Sequence, residues 1–182
     1  MASSSSSSQV AILAGGCFWC IEGALGMLRG VSSAESGYIG GTGSPTYEAV
    51  CGGDTGHAEA VRVVFDEAVL PFPKLLRAFF AIHDPTTLNR AGNDVGTQYR
   101  SAIFYTSEAQ RAAAAQLLAE LAPAYSAPIV TELVQGPPAQ PWHRAEEYHQ
   151  RYFEKNPTNG YCRASIPSKI RKLADKMPEA LK

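Results

Sequence analysis

Val10-Ala11-Ile12-Leu13-Ala14-Gly15-Gly16-Cys17-Phe18-Trp19-Cys20-Ile21 passes from an apolar, partly β-branched run through a glycine pair into residues at helical spacing. Val10 to Leu13 predicts a strand, Gly15-Gly16 a tight turn, and Phe18 to Leu28 a helix. Outward from this unit, Ser33 to Ile39 and Ala58 to Phe65 read as strands. The second of these has few polar interruptions and predicts a central position in a sheet. Pro71-Phe72-Pro73 opens a helix carrying Leu75, Leu76, Phe79 and Phe80 on one face to about His83. A polar loop from Asp84 to Gly96 then feeds a strand expected over Thr97 to Thr106. Ser107 and Gln110 form a capping box for a helix that stops at Pro123. Ile129 to Val134 predicts a last strand. Ala145 to Lys155 and Ser168 to Met177 predict helices separated by Asn156-Pro157-Thr158-Asn159-Gly160.

The order β-α-β-β-α-β-β with helical C-terminal elements points to an α+β fold: a single domain with a mixed or antiparallel sheet covered by helices, a ferredoxin-like two-layer core with a C-terminal extension. A length of 182 residues fits one domain. The serine run Ser3 to Ser8 cannot bury apolar surface, so residues 1–8 are expected to be a disordered tail and residues 9–182 the folded domain.

A formal charge of −1 supplies no broad basic field for nucleic acid or anionic lipid, and the longest aliphatic stretch, Val10 to Ala14, is far too short to span a bilayer. We therefore expect no nucleic-acid or membrane partner, a monomer, and the cytosol as the default compartment, since the serine run carries no arginines of a transit peptide. Neither a dinucleotide fingerprint nor a P-loop is present, so no nucleotide cofactor is expected.

Four cysteines, Cys17, Cys20, Cys51 and Cys162, are too few to scaffold a chain of this size, and their value should lie in reactivity. Cys17 opens a helix, where free backbone N–H groups and the helix dipole favour thiolate over thiol. Cys20 completes a C-x-x-C that suits a reversible disulfide or half a zinc site. With no second pair and no H-x-x-x-H, no metal is expected. From these residues alone, a C-x-x-C thiol-disulfide oxidoreductase using Cys17 and Cys20 remains an alternative, as does a module binding oxidised or methylated side chains on Phe18 and Trp19.

Gly16-Cys17-Phe18-Trp19-Cys20-Ile21-Glu22 resembles the G-C-F-W signature of type A peptide methionine sulfoxide reductases. Five further blocks are similar to that family in the same order: Gly37 to Gly41, Tyr47 to Cys51, Thr55 to Val61, His83 to Arg90 and Gly92 to Ser101. Ala145 to Gln150 with Gly160-Tyr161-Cys162 extends the resemblance over nearly the whole chain after the serines.

The resemblance implies a thiol-dependent oxidoreductase of protein repair under oxidative stress, which reduces methionine-S-sulfoxide, free or in proteins, to methionine. Cys17 would attack the sulfoxide sulfur and be left as a sulfenic acid. Glu59 would be the neutral acid, because a sulfoxide oxygen leaves poorly until protonated. Tyr38 and Tyr99 would donate hydrogen bonds to that oxygen, Phe18 and Trp19 would form the methyl pocket, and Asp94 would help hold the substrate. Cys162 matches the family's resolving position and Cys20 is a second candidate resolver, while Cys51 matches a bystander. Thioredoxin would reduce the disulfide, with no cofactor in the chain. This sequence lacks the second C-terminal cysteine and the Gly-rich tail of some relatives. It ends instead in a basic segment with Arg163, Lys169, Arg171, Lys172, Lys176 and Lys182, which we expect to be a solvated helix face.

Overall fold

The computed structural model of the chain describes residues 7–182. Eight strands and six helices follow the order β1 (Ser8–Gly15), α1 (Phe18–Leu25), β2 (Val31–Ile39), α2 (Tyr47–Cys51), β3 (Ala58–Asp66), α3 (Phe72–Ala81), β4 (Arg90–Ala91), β5 (Asp94–Val95), β6 (Ser101–Tyr105), α4 (Glu108–Leu121), β7 (Glu132–Gln135), β8 (His143–Arg144), α5 (Tyr152–Lys155) and α6 (Gly160–Lys176). Six strands form one sheet in the order β7-β6-β1-β3-β2-β8, and β4 and β5 form a separate ribbon. The inner four, β6-β1-β3-β2, pair antiparallel throughout, which with α1 and α3 is the expected ferredoxin-like β-α-β-β-α-β core. β7 joins in parallel and makes the sheet mixed.

Alternation along the strands separates two apolar layers. Ala11, Leu13, Val61, Val63 and Tyr38 face the helices, where they join Ile21, Leu25, Leu75, Phe79, Leu117 and Leu173 in the main core. Ile12, Ala14, Ala58, Ala60, Ala102 and Phe104 make a smaller cluster on the opposite face, closed by Val134 and Trp142 rather than by a helix. β3 is central and almost wholly buried, as its β-rich sequence predicts. Among the described residues no helix is long and apolar enough to cross a membrane.

Several boundaries differ from expectation. Ser8 already pairs with Asp66, and the Ser7 carbonyl accepts the Glu67 N–H at 3.0 Å, so the fold begins before Gln9; the rest of the tail expected over residues 1–8, residues 1–6, lies outside the described residues. α1 ends at Leu25 and not Leu28, because Gly26 follows and Leu28 bridges to Leu181 instead. The strand expected from Thr97 starts only at Ser101, since Thr97–Tyr99 is a 3-10 turn entered through Gly96 at φ 147°. The helix expected over Ala145 to Lys155 is interrupted. The Gln150 side chain clamps the backbone of Ser36 and Ala145, and Arg151 then takes a left-handed conformation, leaving a 3-10 turn at Glu147–His149 and the short α5. α6 starts eight residues before Ser168, capped by Asn159, whose Oδ1 accepts the Cys162 N–H at 3.2 Å.

Candidate active site

β1 delivers the chain to the site through Gly15-Gly16. Gly16 turns at φ 114°, and a Cβ there would stand 2.7 Å from that of Ala91, so both the turn and the close approach of the β4–β5 ribbon require glycine. Cys17 is the N-cap residue of α1, and its own side chain makes no capping hydrogen bond. The residue is half-buried, and all four cysteines are free thiols.

Glu59, on β3, is 2% exposed, and its Oε1 accepts the N–H of Phe18 at 3.2 Å, so the carboxyl lies against the first turn of α1 beside Cys17. Burial pushes its pKa from 4.5 to about 8; the Phe18 hydrogen bond opposes this, and the nearby Asp94 and Cys20 add to it. At neutral pH Glu59 is therefore mostly a carboxylic acid. Cys17 does not follow the expectation from its helix position. A hydrogen bond with Cys20, burial and the adjacent Glu59 raise it well above the usual thiol value, against a lowering contribution from the Trp19 N–H. Cys20 moves the other way, chiefly through the same hydrogen bond, and the two thiols titrate as a pair.

Tyr38 stands directly opposite Glu59 in the β2–β3 register and projects onto the same face. It is fully buried, and its hydroxyl donates to Glu146 Oε1 at 2.8 Å, while the Tyr47 N–H donates to Glu146 Oε2 at 2.9 Å. Burial works to raise Glu146, but its own N–H and the bonds from Tyr47 and Tyr38 hold it below the ordinary carboxyl value. Burial and the Glu146 contact drive Tyr38 far above the usual phenol value, so it is a hydrogen-bond donor and not an acid. Tyr99, in the 3-10 turn, is half-buried; burial and the charges of Glu59, Asp94 and Cys17 raise it as well.

The aromatic wall is built by long-range contacts. Phe18 is buried between Tyr38 and His149, at centroid distances of 5.6 and 5.0 Å. Trp19 is only partly covered. Its indole lies flat on Tyr152 at 3.7 Å, and its Nε1–H donates to His149 Nδ1 at 3.0 Å. Asp94, on β5, accepts the Tyr161 hydroxyl at 2.5 Å, and the Cys20 thiol donates to the same hydroxyl oxygen at 3.8 Å. Cys20 and Cys162 are both buried and share a cluster with Ile166 against which Cys17 packs. A cavity of about 470 Å³ opens on Cys17 and Cys20 and is walled by Gly16, Asp94, Tyr161 and Lys169. A second cavity of about 490 Å³ lies at the far end of α1 around Glu22, Met27 and Phe153 and contains none of these groups.

Cys17, Cys20, Cys162, Glu59, Tyr38, Tyr99, Phe18, Trp19 and Asp94 are thus gathered about one helix N-terminus. Cys51 is exposed at the end of α2. No group of three or more His, Cys, Asp or Glu residues among the described residues is arranged to hold a metal. Sequence reasoning did not single out Glu146, His149, Tyr152 or Tyr161, and it placed Lys169 only on a solvated basic face. Glu146 and His149 fall in the Ala145 to Gln150 block and Tyr161 precedes Cys162, which was their only sequence signal.

Residues 9–181 match the family model described as peptide methionine sulfoxide reductase. The peptide methionine sulfoxide reductase MsrA of Acinetobacter baumannii (strain AYE) is 51% identical, across 96% of this chain and 99% of its own. The crystal structure of reduced Mxr1 from Saccharomyces cerevisiae superposes with a TM-score of 0.79 at 35% identity, covering 87% of this chain and 91% of that one. Mxr1 in complex with Trx2 shares the fold, with a TM-score of 0.58 at 22% identity over 84% of this chain and 89% of that one.

Proposed function

The chain belongs to the peptide methionine sulfoxide reductase family, and on that premise we propose that Cys17 reduces methionine-S-sulfoxide with Glu59 as its acid. The observation that carries this assignment is the buried Glu59 carboxyl, held against the N–H of Phe18 at 3.2 Å and so beside Cys17. Cys17 attacks the sulfoxide sulfur while Glu59 lends a proton to the oxygen, which cannot leave as a bare oxyanion. The oxygen is transferred to Cys17 as a sulfenic acid, methionine departs with two more electrons on its sulfur, and the Cys17 thiol proton restores Glu59. A resting thiol at Cys17 is in keeping with this balance. Tyr99 and Tyr38 supply donors for the oxygen; Tyr38 does so by turning its hydroxyl from Glu146. Phe18 and Trp19 cradle the methyl group, and an apolar cradle on one side with donors on the other selects one epimer. Asp94 exchanges its Tyr161 contact for the substrate.

The sulfenic acid is then resolved to a disulfide. Cys162 matches the family's resolving position, and Cys20 neighbours both it and Cys17 in the sulfur cluster. Cys162 reaches Cys17 when the first turn of α6 moves or when Cys20 passes the bond on. Thioredoxin, the partner named for the yeast structure, is the dithiol we assign as reductant, and a compartment that keeps thiols reduced, such as the cytosol, suits the cycle.

The test is to trap the intermediate. In a Cys20→Ser/Cys162→Ser double variant, S-sulfoxide should yield one methionine and one dimedone-labelled Cys17 per chain. Methionine without label at Cys17, or label at Cys51, would remove Cys17 from the role of nucleophile.

A further inference from the structure

Of the six C-terminal cations singled out in the sequence, Arg163, Arg171, Lys172, Lys176 and Lys182 are exposed, whereas Lys169 is not. Its Nζ donates to the carbonyl of Ile82 at 2.6 Å. Ile82 is the C-cap residue of α3, so the ammonium sits where the helix dipole favours a cation. From there it faces the cavity that Cys17 and Cys20 line. A half-buried cation anchored by one carbonyl, in the wall of the cavity that both sulfurs line, is unlike a solvated helix face.

Asp94 is the opposing charge on the cavity wall: it accepts the Tyr161 hydroxyl and works against a thiolate at Cys20. The start of α1 contributes Cys17 and Cys20, β5 contributes Asp94, and α6 adds Tyr161 on the wall. The segment after α3 contributes His83 and Asp84. His83 stays uncharged: its Nδ1 lies 2.7 Å from the Phe79 carbonyl and its Nε2 2.9 Å from Ser101 Oγ, and burial holds its pKa at about 4. Asp84 is turned back on Thr86, which donates to it from both its N–H and its hydroxyl. Lys169 is therefore the cation that faces the thiols.

We propose that Lys169 is a positioning residue of the disulfide-forming half of the cycle: its ammonium holds the Cys20 sulfur as the thiolate that closes onto oxidised Cys17. The inference rests on the reductase reading, since it needs Cys17 to reach the sulfenic acid. In the step, the Cys20 thiolate attacks the Cys17 sulfur, the S–S bond forms and the Cys17 S–O bond breaks. The departing hydroxide takes a proton from Glu59 or solvent and leaves as water. The Cys20 lone pair becomes the S–S bond while the hydroxide leaves with the S–O bonding pair, so Cys17 is reduced and Cys20 oxidised by one level each, both ending as disulfide sulfur. The lowered thiol value of Cys20 agrees with this geometry: the Cys17 hydrogen bond contributes most, and Tyr161 and then Lys169 add to it against burial and Asp94.

The experiment uses the full chain with Cys162→Ser, so that Cys20 is the sole partner in the cluster, alone and with Lys169→Met or Lys169→Arg. Pulse alkylation with iodoacetamide from pH 5 to 10, read at Cys20 by peptide mass spectrometry, reports its thiolate fraction. Thiol loss after a single turnover reports closure. Lys169→Met should slow Cys20 alkylation at pH 7 about tenfold, equivalent to a rise of about one pKa unit, and slow closure by a similar factor relative to methionine release. Lys169→Arg should restore both, which loss of packing alone would not predict. Unchanged alkylation in Lys169→Met would overturn the electrostatic assignment, and slowed alkylation with unchanged closure would overturn Cys20 as the attacking thiolate. Failure of the reductase reading is seen separately, as absence of methionine before any Lys169 substitution.

Discussion

Replacing Glu59 by glutamine should stabilise the protein at alkaline pH while disabling it. Below pH 4.5 the folded and unfolded chains both hold the Glu59 proton, so the carboxyl adds no pH dependence. Between 4.5 and about 8 the unfolded chain has released it and the folded chain keeps it. The folded state then binds more protons, and stability falls as pH rises, by 1.36 kcal/mol per pH unit. Above 8 both states are ionised, and the full penalty of burying the carboxylate, about 5 kcal/mol, is reached. Glutamine keeps an acceptor for the Phe18 N–H and carries no charge. In urea denaturation the stability of Glu59→Gln relative to wild type should therefore move in the variant's favour by about 4 kcal/mol between pH 5 and pH 9. The same variant should lose at least ~10²-fold in the methionine-forming step. The wild-type rate for that step should decline as pH rises through about 8, and the variant's residual rate should lack that decline. A stability difference that stays flat across this range, or that moves toward wild type, would refute the account of Glu59 as a buried acid.

Tyr38→Phe removes the hydroxyl that donates to Glu146. It should cost about 1–3 kcal/mol in urea denaturation through the carboxylate left short of a donor, and slow single-turnover methionine release about 10²-fold through loss of an oxygen donor. Gly16→Ala forces a side chain onto φ 114° and against Ala91. It should destabilise by about 2 kcal/mol or more in the same measurement and lower turnover, because Cys17 moves with the turn.

The parts of this fold that were legible in the sequence are those decided by local pattern. β1, β3 and α3 declare themselves because their apolar residues repeat at the period of the element that buries them. Ser107 and Gln110 announce α4 because a cap is a local hydrogen bond, and Ser107 Oγ does accept the Gln110 N–H. The segment Ala145 to Arg151 has helical composition, but its conformation is set by the Gln150 side chain on Ser36, 114 residues away. Tyr99 reads as a strand residue because its β propensity says nothing of the turn made at Gly96. The site divides the same way. Cys17 at a helix start and Glu59 between Ala58 and Ala60 could be read from the chain. Glu146 acquires its place through Tyr38, 108 residues distant, and Tyr161 through Asp94, 67 residues distant, and no spacing encodes either. Lys169 was indistinguishable from its basic neighbours until α3 ended beneath it.

The central claim is that one thiol beside one buried acid reduces one epimer of the sulfoxide. It is tested most directly by mixing pre-reduced protein with S- or R-methionine sulfoxide in the absence of reductant and counting methionine and thiols. About one methionine per chain from the S epimer with loss of two thiols, abolished by Cys17→Ser, is the predicted result. Methionine formed equally from the R epimer, or two thiols lost with no methionine from either, would contradict it.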